Sequence, residues 1–329
     1  MTEFSRRRFL ELAVGASAAS TLPYASAFAN PVPYLEVLAA PNGASLILAR
    51  LLEEGGLSDA LPGASFRLWR APDELRASLV SGRTRLFTTP SHVPANLANR
   101  GMPIRLLCIL SMGHLSIVTA DISIQTFADL KGKSILGFFR NDMPDLTFRA
   151  VAKLEGLDPD RDMTLTYVQT PMEAAHMLAA GRVETAILSE PPATGSIFMA
   201  SQAGRTLRRA ISLQDVWQKH KDSKIPMAGI AVHQSLLDDC PELVPALKAG
   251  LPRAKDWIFA NRDAAGELAG KALGARPQVF AQALDHFNMD VIPARAVKTE
   301  LEAFYSAILD LSPDALGGRL PDDDFYLDL

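Results

Sequence analysis

The sequence predicts an α/β protein. Short apolar strands alternate with helices from residue 34 to residue 110, the alternation begins again at residue 115, and helices dominate after residue 232. Hydrophobic residues make up 48% of the 329 positions and charged residues 21%, which is material for two ordinary domains and not the bias of a disordered chain. The formal net charge of -4 argues against broad nucleic-acid binding, since a mildly acidic surface does not neutralise a phosphate backbone.

Residues 34–38 form a first strand, broken by Pro41-Asn42-Gly43, and residues 45–54 a helix with Leu46, Ala49 and Leu52 on one face. Gly55-Gly56 stops that helix. Residues 65–69 alternate as a second strand, 72–80 form a short helix ended by Ser81-Gly82, and 85–88 are a third strand. A helix over 91–98 and a strand over 104–110 complete the first unit. This rhythm is that of a largely parallel sheet with helices on both faces.

The second unit has strands at 115–119, 134–137, 163–168 and 185–188. Its helices cover 146–154 and 172–180, stopped by Gly156 and Gly181, and residues 197–200 continue as helix. Residues 211–213 add a short strand, and 228–232 return to strand. Helices then occupy 241–260, 262–273, 277–286 and 299–309, and the Pro-, Gly- and Asp-rich residues beyond Leu311 read as peripheral. The late helices have no sheet of their own, so residues 30–115 with 227–329 are expected to form one lobe and 116–226 the other. The chain then crosses near 111–116 and 222–229. Periodicity alone leaves one continuous sheet as an alternative.

Residues 1–29 carry an export signal. A basic head, Ser5-Arg6-Arg7-Arg8-Phe9-Leu10, precedes an alanine-rich apolar stretch and the small residues of Ala27-Phe28-Ala29. The paired arginines resemble a twin-arginine signal, with Glu11 where lysine is frequent. The apolar stretch is shorter than the roughly 20 residues a membrane-spanning helix needs. Cleavage after Ala29 and a periplasmic location are therefore expected. Cys108, in an apolar run, and Cys240, before Pro241, read as two separate thiols rather than a disulfide. No cysteine or histidine cluster has metal-site spacing, and a site built from His92, His114 and Glu190 is not expected.

The phrase Thr126-Phe127-Ala128-Asp129-Leu130-Lys131-Gly132-Lys133 carries a family resemblance. With the strands on either side it resembles the periplasmic solute-binding proteins of the nitrate/sulfonate/taurine type, relatives of the thiamine-pyrimidine precursor binders. The step from Leu178 through Gly181 and Glu184 to Glu190-Pro191 is similar to theirs, as are the helices from Pro241 to Ala265. Family members often carry aspartate where this chain has Thr84 or Arg85. The resemblance covers nearly the whole mature chain. It implies a two-lobed fold of the type II kind with the ligand cleft between lobes, a small-molecule ligand, a transient ABC permease partner in the inner membrane, a monomer, and no cofactor. It implies a binder rather than an enzyme, since the related pyrimidine synthases have a cysteine cluster that is absent here. An exported sensor is the alternative.

Ligands in open α/β folds sit outside strand carboxyl ends, where helix N-termini present free N–H groups. Four segments have that position. In the first, Asn42, Gly43 and Ser45 either offer close backbone approach and a hydroxyl or form a plain N-cap turn. In the second, Thr88, Thr89, Ser91 and His92 offer three hydroxyls and an imidazole. The third sets Phe138 and Phe139 beside Arg140, Asn141 and Asp142, rings to clamp a flat body and an arginine to grip an anion. The fourth is Glu190, either an acceptor for an amine or a hinge-side salt-bridge partner. His114 and Ser116 stand at the first crossover. The acids Asp142, Asp145 and Glu190 point to a small polar organic ligand that itself carries donors.

Overall fold

A computed structural model describes residues 35–329; the expected export signal and its cleavage site lie outside them. The chain opens with β1 (Glu36–Ala39), α1 (Ser45–Glu53), β2 (Ser65–Leu68), α2 (Pro72–Val80), β3 (Leu86–Pro90), α3 (His92–Asn99) and β4 (Ile104–Met112). It continues through β5 (Leu115–Thr119), β6 (Ser134–Phe138), α4 (Met143–Leu154), α5 (Pro159–Asp162), β7 (Thr164–Val168), α6 (Pro171–Ala179), β8 (Thr185–Ser189), α7 (Pro192–Gln202), β9 (Arg208–Ser212) and α8 (Leu213–Lys221). Then follow β10 (Pro226–His233), α9 (Gln234–Asp239), α10 (Leu243–Ala260), α11 (Arg262–Leu273), α12 (Pro277–Ala283), β11 (Met289–Pro293) and α13 (Lys298–Leu309).

The strands form two sheets, a six-stranded one in the order β11-β4-β10-β3-β1-β2 and a five-stranded one in the order β7-β6-β8-β5-β9. The fold is therefore two-lobed α/β. The sheets are not largely parallel, as the alternation suggested. β1 pairs parallel with β2 and β3, but β10 lies antiparallel between β3 and β4, and β11 is antiparallel to β4. In the other sheet β6 pairs parallel with β7 and β8, while β5 lies antiparallel between β8 and β9. β5 is the strand that enters the second sheet and β10 the one that returns to the first. Each arrives from the opposite lobe and so runs against its neighbours. Hydrophobic periodicity carries no information about strand direction.

The two crossings lie side by side. Gly113 N donates to Ile225 O at 2.9 Å, and Asn288 donates its side-chain amide to Gly113 O at 2.8 Å. Gln214 Oε1 accepts from Ile225 N at 2.9 Å. Gly113 has φ +37 and lies against the Gln214 side chain, so a β-carbon there would be strained and would collide.

Local chemistry explains most elements. Asp142, Thr170 and Ser212 cap α4, α6 and α8 by accepting from backbone N–H groups. Gly156 and Gly181, at φ +75 and +72, turn the chain after α4 and α6. α8 is missing from the sequence expectation because only Leu213, Val216 and Trp217 mark its apolar face amid polar residues. β11 is missing because Asp290 and Pro293 break its pattern.

One apolar cluster runs through both sheets, joining Phe87 and Ile109 of the first to Ile117 and Ile187 of the second. The tail beyond Leu311 is part of this core, contrary to the peripheral reading. Leu316, Phe325 and Tyr326 are buried, Tyr326 bridges to Leu106, and Leu327 N donates to Leu106 O at 3.0 Å. A Pro- and Asp-rich composition hid these few aromatic anchors. Phe325→Ala is expected to destabilise the protein by about 3–5 kcal/mol, the usual range for a buried aromatic, as read by urea denaturation. A peripheral residue would change stability by less than about 0.5 kcal/mol.

Candidate functional site

The antiparallel insertions bring strand ends of both sheets to one gap. Ala40 follows β1, Trp69 follows β2 and Pro90 ends β3 on one side; Phe138 ends β6, Ser189 ends β8 and Pro171 follows β7 on the other. The starts of the crossing strands close the floor, with Leu115 from β5 and Met227 from β10. The gap spans about 550 Å³ of space between atoms, the open solvent at its mouth included. Its wall is mainly apolar, and Asp142 is the one charged side chain among the described residues that line it.

The loop from Phe138 to Asp142 contributes Phe138, Phe139 and Asp142 to the lining. The Phe138 and Phe139 rings are 5.4 Å apart at 64°. Phe139 and Asn141 hold left-handed backbone, at φ 50 and 61, a conformation that costs a non-glycine residue roughly 1–3 kcal/mol. A buried network secures the loop. Asp145 accepts from Asn141 N at 2.9 Å, from Arg149 Nε at 2.9 Å and from the Tyr167 hydroxyl at 2.7 Å. Burial, together with the bond to Asp145, pushes the Tyr167 hydroxyl up to about 12.

Asp142 touches both lobes. Its Oδ1 accepts from Met143 N at 2.7 Å, and the same oxygen lies 3.2 Å from His92 Nε2 of the first lobe. Burial works to raise the Asp142 pKa, but the His92 hydrogen bond and charge outweigh it and hold the carboxyl below its usual range. Thus the segments 88–92 and 137–145 meet. His92 borders a second groove beside the gap, with Arg76, Arg100, Asn141 and Asp142 itself.

Of the sequence-selected residues, Asn42, His114, Phe138, Phe139 and Asp142 line the gap. The others lie elsewhere or are engaged by the protein. Ser45 Oγ donates to Ala40 O and lies 2.7 Å from Thr88 Oγ1, which accepts from Ala40 N. Gly43 lies against the Phe287 ring, which a β-carbon there would strike. Ser91 donates to Pro226 O at 2.7 Å, and the Thr89 hydroxyl is buried without a partner among the described residues. Ser116 sits on β5 outside the lining. Arg140 is exposed and lies over the Tyr167 ring, 5.6 Å from its centroid, outside the gap. Glu190 is buried and bound to Arg209 at 2.6 Å and to Thr194 N and Oγ1 at 3.2 and 2.8 Å. Among the three acids invoked for a donor-bearing ligand, only Asp142 faces the gap.

Sequence reasoning missed Trp69, Met227 and Leu115. Trp69 follows a strand, so the rule applied to the other strands identifies it. The starts of β5 and β10 become visible only once their direction is known.

Cys108 and Cys240 are both free thiols. Among the described residues no three His, Cys, Asp or Glu side chains gather to hold a metal, and no helix is long and apolar enough to cross a membrane.

Two outcomes are expected. Asp145→Ala removes one partner of a buried pair and destabilises by about 3–5 kcal/mol, whereas Asp142→Asn keeps a capping side chain and costs about 1 kcal/mol or less; denaturant titration separates them. Burial lowers the His114 pKa from 6.5 to about 4. The folded form therefore binds this proton more weakly than the unfolded form does. The stability this neutral imidazole contributes is present above pH 6.5 and is lost as pH falls towards 4. Thermal melts of His114→Gln should show a smaller loss over that window than the parent protein.

The family model of the NMT1-like family matches residues 89–273. No curated protein matches the sequence. Among solved structures, an ABC transporter protein from Parabacteroides distasonis superposes with a TM-score of 0.73 at 20% identity, over 89% of this chain and 98% of that one. The periplasmic aliphatic sulphonate binding protein SsuA of Escherichia coli gives 0.67 at 18% identity, over 89% and 98% of the two chains. The periplasmic nitrate-binding protein NrtA of Synechocystis PCC 6803 gives 0.62 at 14% identity, over 86% and 84%.

Proposed function

Because the chain belongs to the NMT1-like family, we propose that it captures a small polar organic solute in the periplasm and delivers it to an ABC-type membrane importer. The observation that carries this reading is the gap itself, walled by strand ends from two separate sheets and floored by the strands that cross between them. Residues 30–115 with 227–329 act as one lobe and residues 116–226 as the other. A ligand seated between them contacts both halves and so favours the closed arrangement by its differential affinity. The closed pair of lobes then presents one surface to a permease.

The neighbours in fold whose names state a role are transport-associated binding proteins, which supports binding rather than catalysis. The chemistry of the chain agrees. The Cys108 thiol is buried within β4 and pushed up to about 12 by burial, which removes it as a nucleophile at neutral pH. Residues 1–29 serve as the export address. The protein acts as a monomer, needs no cofactor, and meets its permease transiently.

Gently purified exported protein is expected to retain a small molecule detectable by mass spectrometry. Removing and then restoring that molecule should change the radius of gyration in solution scattering, with the smaller value at saturation. An unchanged shape across the titration would refute the closure mechanism.

A further inference from the structure

The charges around the gap are arranged against an anion. Oxyanions are usually held at helix N-termini by free N–H groups and the positive end of the helix dipole. On the second lobe those positions already carry acceptors, whereas on the first lobe α3 starts after Pro90 without a capping side chain or an acid in its first turn. At the start of α4, Asp142 accepts from Met143 N, and Asp145 adds a second carboxylate in the first turn. At the start of α7, Glu190 accepts from Thr194 N. At α6, Thr170 accepts from Glu173 N while Glu173 accepts from Gln169 N. On the first lobe, Asn42 Oδ1 accepts from Ser45 N. A sulfonate or carboxylate brought to any of the second-lobe helix starts meets a built-in carboxylate.

Nor does the lining supply a cation. Among the described residues that line the gap there is no lysine or arginine, and Arg76, whose charge helps hold the Asp142 carboxyl low, borders the neighbouring groove instead. Arg209 is bound to Glu190, Arg149 is held between Asp145 and Asp160, and Arg140 lies over Tyr167 outside the gap. His114 does line it, but burial keeps that imidazole neutral at neutral pH. An anion placed here loses its hydration without a compensating charge.

A cation meets the opposite situation. Asp142 borders both the gap and the groove that holds Arg76; its Oδ1 is engaged by Met143 N and His92, and among the described residues its Oδ2 has no hydrogen-bond partner. Phe138, Phe139 and Trp69 line the same wall, and aromatic rings attract cations in partly dry surroundings. Taking this gap as the solute site, we propose that it accepts an organic cation, a protonated amine or amidine on a compact apolar body, and discriminates against anions, with Asp142 reading the charge.

The test is equilibrium dialysis of the purified protein against a bacterial small-molecule extract. The extract is supplemented with phenethylamine, benzamidine and choline, and with benzoate, benzenesulfonate and ethanesulfonate. Mass spectrometry then identifies what the protein enriches. Enrichment of cationic compounds is the expected result, and the isosteric Asp142→Asn should weaken their binding by roughly 30-fold or more. Its melting temperature, measured in parallel, should stay near that of the parent, which separates lost charge recognition from lost folding. Enrichment of the carboxylates or sulfonates overturns the charge assignment and leaves the solute-binding reading standing. Undiminished cation binding by Asp142→Asn overturns the role of that residue. No enrichment of any compound overturns both readings together.

Discussion

Everything in this fold depends on the paired crossing at Gly113 and Ile225. The hydrogen bond between them holds the two interlobe segments next to each other, and the adjoining strands can then enter the opposite sheets only against the direction of their neighbours. That reversal sets the starts of β5 and β10 level with the ends of β1, β3, β6 and β8. The gap is a product of strand direction before any side chain is chosen. Glycine is required at 113 both by its left-handed backbone and by the Gln214 side chain packed on it.

On that frame the second lobe uses its acidic residues in two ways. Asp145 and Glu190 serve as internal fasteners, the first holding the Phe138–Asp142 loop through Arg149 and Tyr167, the second tying α7 to Arg209 on β9. Each is buried and paired, and a buried charge is tolerable only on those terms. Asp142 alone combines a structural hydrogen bond with access to the gap. The apolar remainder of the wall leaves its charge little dielectric screening.

Much of this was legible in the sequence. Strand and helix positions followed from alternation and from glycine stops such as Gly156 and Gly181. The Asp129-Leu130-Lys131-Gly132 turn pointed to the family. The Phe138–Asp142 loop is marked in the sequence by a strand end among aromatic and polar groups. What stayed hidden was relational. Strand direction has no periodic signature, so the starts of β5 and β10 were not seen as floor. Hydroxyls after a strand look alike whether they face a ligand or one another, and Ser45 and Thr88 face one another. A salt bridge is one of two readings open for Glu190, but an acid after a strand does not say which arginine will claim it, and here it is Arg209. The buried tail failed for a compositional reason, since Phe325 and Tyr326 sit among aspartates.

The contact between His92 and Asp142 links two properties that are often treated as separate. The same carboxylate that looks into the gap also reaches across it to the opposite lobe. A substitution at position 142 therefore alters the resting balance between parted and joined lobes along with the chemistry of the pocket. Divergence toward a new solute by that route carries a change in the unliganded posture with it, unless position 92 changes in step.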